Sequence, residues 1–190
     1  MTWKTIFNPF EKFDDKTLLI VGIIFSILFI LLCYWTNSCF ISIYRIVELE
    51  TKNISDLLFP TLISFIIPII VLFALGKFLY RKTRMIDIAN TVLLSQIPFI
   101  ILLFLEKFPY LKNSGERFSH YQEQPNGTFP ILDFVLMLSV MMITLLCLIY
   151  SFIILFNGFK TATNIKKWQH IALFCFVTMI TVMICQIFNN

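Results

Sequence analysis

Charge is what this sequence has least of: Asp, Glu, Lys and Arg together make up 14% of 190 residues, where a soluble domain carries about a quarter. So few charges cannot cover a water-soluble globule with polar surface. Histidine occurs only twice, as His120 and His170, which excludes a multi-histidine metal site. The five cysteines form no CxxC pair and no Cys/His spacing of a zinc site. Cys33, Cys147, Cys175 and Cys185 lie inside apolar stretches and only Cys39 falls in a loop, so they read as small apolar residues. HExxH, GxxxxGK[ST] and GxGxxG are all missing. No apolar stretch holds paired aspartates or a Ser/His pair. The expectation is therefore a protein that is not an enzyme, with no catalytic, cofactor-binding or metal residues. The net charge of +4 is spread over short clusters rather than one basic face, which argues against nucleic acid.

What is present is apolar. Hydrophobic residues make up 58% of the chain, with 22 phenylalanines, and the mean hydropathy is +0.85. Five apolar runs cover residues 18–35, 57–76, 86–105, 131–156 and 168–188. Each is long enough to cross a hydrocarbon core of about 30 Å as a helix. The expected fold is all-α, a polytopic membrane helix bundle of five transmembrane helices in a single membrane domain, 1–190. The first run is too long for a signal-peptide core, and residues 33–36 offer no small-residue cleavage site, so it should remain as an anchor.

The third run is the most polar, with Asp87, Asn90, Thr91, Ser95 and Gln96. Asp87, Thr91 and Ser95 recur at i, i+4 and i+8 and so share one helical face. These five residues are the candidates for polar contacts inside the bundle, with Asn90 and Gln96 paired across to neighbouring helices. Pro68 predicts a kink in the second run, with Ser64 placed at i−4 to relieve it. Residues 107–129, punctuated by Pro109, Gly115, Pro125 and Gly127, predict a loop. Before the first run, Trp3, Ile6, Phe7, Phe10 and Phe13 follow a helix-like spacing around Asn8-Pro9. They predict a short interfacial segment within residues 1–16. Residues 40–47 are too apolar for a solvated loop and should dip back to the outer interface.

Charge placement sets the orientation. The N-terminal tail, second loop and fourth loop hold ten of the 15 Lys and Arg, and the C-terminal tail holds none. The N-terminus is then cytoplasmic and the C-terminus outside. Asn53-Ile54-Ser55 and Asn126-Gly127-Thr128 match the glycosylation sequon on outside loops, but three-residue matches are common by chance. Abundant Ile, Phe, Asn and Lys point to an AT-rich genome and a bacterial inner membrane. Every Asp, Glu, Lys and Arg lies at or beyond the ends of the apolar runs, which argues against a carboxylate relay.

Several segments together resemble the Yip family, the Ypt/Rab-interacting membrane proteins and their bacterial relatives. They are Trp3 with Asn8-Pro9, the third-run segment 86–98 and the Gly-containing segment 157–164 that follows the fourth run. The resemblance implies a non-enzymatic multi-pass protein acting through helix–helix, protein or lipid contacts. Its partners would be membrane lipids and other membrane proteins or itself. Eukaryotic members tend to carry a longer cytoplasmic N-terminal region, so Rab-type binding is not carried over. The alternative from the residues alone is a small-solute permease or channel subunit, marked by a continuous polar path.

Overall fold

In a bilayer every backbone N–H and C=O must be satisfied within the protein, so spanning segments become helices. The computed structural model describes residues 6–42, 44–49, 53–123 and 129–188. Trp3, Lys52 and the Asn126 sequon lie outside them. Among the described residues five helical segments are long and apolar enough to cross a membrane. They are α1 (Asp15–Thr36), α2 (Ile54–Leu79), a broken third span (Met85–Leu105), α6 (Ile131–Thr163) and α7 (Trp168–Phe188). The chain is thus a five-span helix bundle. The ends of the spans near Asp15, Leu79, Met85, Thr163 and Trp168 define one face, here the N-face. The opposite ends define the hairpin face.

The third span divides at Pro98. α3 (Met85–Ser95) gives way to a 3-10 turn, Ile97–Phe99, and then α4 (Ile100–Glu106). Proline has no N–H to donate and its ring crowds the carbonyl four residues back, here that of Leu94. The sequence reading took 86–105 as one helix, and the break is the proline's local effect. α3 lies at the centre, packed against α1, α2 and α6. Small residues let these neighbours approach closely. A Cβ on Gly22 of α1 would stand 3.0 Å from the Leu93 Cβ, and one on Gly158 of α6 would overlap Thr91.

Three further differences from the sequence reading have physical causes. First, α6 runs to Thr163 rather than ending near 156. Gly158 costs a helix about 1 kcal/mol relative to alanine. Burial of Phe159, stacked on Phe174 at 4.6 Å, outweighs that cost. The helix stops at Asn164, whose left-handed φ of 50° supplies the C-cap. Second, residues Pro109–Glu123 form a helix, α5, instead of a loop. Proline at its first turn is compatible with helix. The guanidinium of Arg117 holds α5 to the start of α6, with Nε donating to Asp133 Oδ2 at 2.9 Å and Nη2 donating to Oδ1 at 2.5 Å.

Third, the first loop does more than touch an interface. Strands β1 (Ser38–Ser42) and β2 (Arg45–Glu48) pair antiparallel, with Cys39 opposite Val47 and Phe40 opposite Ile46. All five β1 side chains are buried. Phe40 is fully enclosed and meets Phe29 of α1 at 4.8 Å and Phe99 at 5.7 Å, both edge-on. The strand backbone is partly satisfied by α2: Phe40 N–H donates to Thr61 Oγ1 at 3.3 Å, and Ser64 Oγ donates to the Phe40 carbonyl at 2.7 Å. Ser64 also donates to the Pro60 carbonyl at 2.9 Å, so its hydroxyl serves as a tether for the hairpin. Cys39 is 3% exposed, not a solvated loop residue, and burial pushes its thiol pKa up.

Candidate functional site

Helical geometry places Asp87, Asn90, Thr91 and Ser95 along α3 and Gln96 at its C-cap, and each makes a different local arrangement. Asp87 is half-buried, while Asn90, Thr91, Ser95 and Gln96 are buried. Thr91 Oγ1 donates to its own helix at the Asp87 carbonyl, 2.7 Å away, and Ser95 Oγ donates to the Val92 carbonyl at 2.7 Å. Such back-bonding satisfies a hydroxyl without a partner helix. Asn90 reaches out, its Nδ2 donating to the Asp15 carbonyl of α1 at 2.9 Å. Its Oδ1 and both amide atoms of Gln96 are enclosed without a partner among the described residues. The break at Pro98 offers the Ser95 carbonyl to a neighbour, and Ser151 Oγ of α6 donates to it at 2.5 Å.

The N-face gathers three segments far apart in sequence. A 3-10 turn, Pro9–Glu11, follows Asn8, whose Nδ2 donates to Glu11 Oε1 at 2.9 Å. This turn docks on α6: Tyr150 Oη donates to the Ile6 carbonyl at 3.0 Å and Asn157 Nδ2 to the Phe7 carbonyl at 2.8 Å. Phe10, Asp15, Arg84, Asp87, Asn90 and Gly158 enclose a small cavity of about 140 Å³ there. Arg84 Nη1 lies 3.5 Å from Asp15 Oδ2, with both groups largely exposed, a geometry worth at most about 1 kcal/mol. Asn8-Pro9, the 86–98 segment and Gly158, noted separately in the sequence, thus meet at one place.

A larger cavity, about 450 Å³, opens on the hairpin face between β2, α4, α5 and α6. Its wall is mostly aliphatic and aromatic, including Phe99, Leu102, Met137, Val140 and Leu148. Two cations line it, Arg45 at the start of β2 and Lys112 on α5. Tyr44, beside Arg45, packs on Phe99 at 5.9 Å and lies against Ser151. Ser151 stands about 18 Å from the N-face end of α6, at about 1.5 Å per residue. The hairpin therefore carries Tyr44 inward of the helix ends, while the side chain of Arg45 beside it is exposed.

The sequence reading did not pick out Tyr44, Arg45, Ser151 or Gly158 as site residues. Ser151 and Arg45 each carried a faint signal, a lone polar residue inside an apolar stretch. Among the described residues no three His, Cys, Asp or Glu side chains gather as a metal-binding group. A family model for the Yip1 domain matches residues 3–188, nearly the whole chain. No curated protein and no solved structure matches.

Proposed function

The chain belongs to the Yip1 domain family, and on that premise we propose that it is a non-enzymatic multi-pass membrane protein. It works through helix, protein and lipid contacts rather than by conducting a solute. One observation carries this reading: among the described residues no cavity joins the two faces. The N-face cavity ends at Asn90 and Gly158, and the hairpin-face cavity ends near Leu148. Between them Val92 and Leu155 are fully buried in one apolar cluster. The void beside Gln96 is too small for a water molecule. The polar groups of α3 are thus divided among separate contacts and do not line a path.

The same reading places the N-face in the cytoplasm of a bacterial inner-membrane protein. Lys12, Lys16, Arg81, Lys82, Arg84, Lys166 and Lys167 lie at that end, where anionic headgroups attract them. The test is flux of small neutral solutes such as urea and glycerol into vesicles containing the purified protein. Rates equal to those of protein-free vesicles are expected. A saturable flux abolished by Gln96→Leu would establish the permease alternative instead.

A further inference from the structure

We propose that the N-face cavity binds one hard divalent cation of the magnesium class, through the carboxylates of Asp15 and Asp87 and the amide oxygen of Asn90. All three residues line the cavity. Asp87 and Asn90 stand three residues apart on α3 and so share a face. Asn90 Nδ2 donates to the Asp15 carbonyl at 2.9 Å, which brings the first turn of α1 beside them. That bond also fixes the amide, because a carbonyl can accept only from its Nδ2 side. Oδ1 is thereby turned the other way, closed off from solvent and without a partner among the described residues. The Asp87 carboxylate is held as well, accepting the backbone N–H of Arg84 at the N-cap of α3.

Two side-chain donors among the described residues line the cavity besides Asn90, and each is turned elsewhere. Thr161 Oγ1 donates to the Asn157 carbonyl at 2.9 Å, and the largely exposed guanidinium of Arg84 reaches Asp15 at 3.5 Å. A metal–oxygen distance of about 2.0–2.1 Å is shorter than a water's hydrogen bond of about 2.7–3.0 Å. A small cation therefore fits against an oxygen that water does not reach. Asp87 makes no ion pair among the described residues, and two carboxylates facing one cavity repel each other unless a cation stands between them. Magnesium takes oxygen ligands, is held by one or two carboxylates and keeps several waters. The cavity, about 140 Å³, has room for about four waters at about 30 Å³ each, enough to complete an octahedron around the protein oxygens. Asp15 is half-exposed, which leaves an entry path from the N-face. Only two acids take part, so spacing rules built on His, Cys or acidic clusters pass over the site.

The test titrates manganese, a paramagnetic ion that carboxylate sites for magnesium accept, into the purified full chain in dodecyl maltoside micelles and reads the free-ion resonance. One manganese per chain should bind saturably and be displaced by magnesium. Asp87→Asn should weaken binding about tenfold or more, since ligand charge sets the affinity of such sites. Arg84→Gln should tighten it by about two- to fivefold, because the exposed guanidinium competes for Asp15. A gain of affinity cannot come from misfolding, so this arm decides even where Asp87→Asn folds poorly. Glu116→Gln, exposed on α5 at the hairpin face, should bind as the parent does. Absence of saturable binding, indifference to Asp87→Asn, or binding unchanged or weakened by Arg84→Gln would each overturn the proposal. Equal loss with Asp87→Asn and Glu116→Gln would show an adventitious ion only.

Discussion

Replacing Gly158 by alanine tests whether the centre of the bundle is held by close approach of α3 and α6. A Cβ at this position would lie 2.7 Å from both Thr91 Cγ2 and Phe10 Cζ, and closer still to Thr91 Oγ1. Carbon atoms prefer separations of about 3.5–4.0 Å, so the neighbours must retreat by about 1 Å. Thr91 is fully buried and its hydroxyl is engaged with the Asp87 carbonyl, which blocks the easy escape of a rotamer change. α3 is itself packed on α1 and α2 and cannot slide freely. The cost belongs with overpacked cores, about 1–3 kcal/mol, offset by about 0.5–1 kcal/mol of helix propensity gained. Gly115→Ala is the control, because the atoms nearest its new methyl are Met137 Cε at 3.5 Å and Sδ at 3.6 Å, ordinary contacts. That variant should gain the propensity alone. Thr91→Ala should rescue Gly158→Ala in part, giving a coupling of about 0.5–3 kcal/mol in a double-mutant cycle. Graded denaturant unfolding in mild micelles, followed by tryptophan fluorescence, measures the parent and all four variants. If Gly158→Ala is at least as stable as the parent, or the cycle is additive, the helices do not depend on this contact.

Two further outcomes are expected. Asn113→Cys, exposed on α5, should react with a membrane-impermeant maleimide in sealed cells, and Lys82→Cys, exposed at the N-face, only after the cells are opened. Native Cys39 should stay silent in both cases, since it is buried and its raised pKa leaves little thiolate near neutral pH. Reversal of the two labelling patterns would place the N-face outside. Asn90→Leu should lower stability by on the order of 1 kcal/mol through loss of its bond to the Asp15 carbonyl. Gln96→Leu should be neutral or stabilising, because neither amide atom has a partner among the described residues. Equal destabilisation by both changes, read from melting temperatures, would show that Gln96 makes a bond of its own.

Apolar run length was enough to read all five spans, because hydrocarbon thickness sets a length that few soluble sequences reach. The interruption at Pro98 was also in the sequence, but run length averages over a single residue and hides it. α5 was read as a loop because Pro109 and Gly115 are loop punctuation by composition. What makes it a helix is tertiary: the Arg117–Asp133 pair and a ring cluster of Phe118, Phe129 and Phe134. The candidate site divides in the same way. Asn90, Thr91, Ser95 and Gln96 stand out as polar residues in an apolar run, but which of them find partners depends on Asp15 and Ser151, distant in sequence. Tyr44 was placed with the first loop because its sequence neighbours say nothing about how far the hairpin enters the bundle.

That hairpin also constrains the order in which the molecule is assembled. A helix can partition into lipid by itself, since its backbone bonds are internal. A two-stranded ribbon cannot, because its outer edges present unpaired backbone groups. Phe40 finds its partners on Thr61 and Ser64 of α2, and those residues leave the ribosome after the hairpin does. Residues 38–48 must therefore wait at the membrane surface until α2 has inserted. They enter only with helix docking, the second stage of membrane-protein folding. The cavity whose wall includes Arg45 is then among the last features to form.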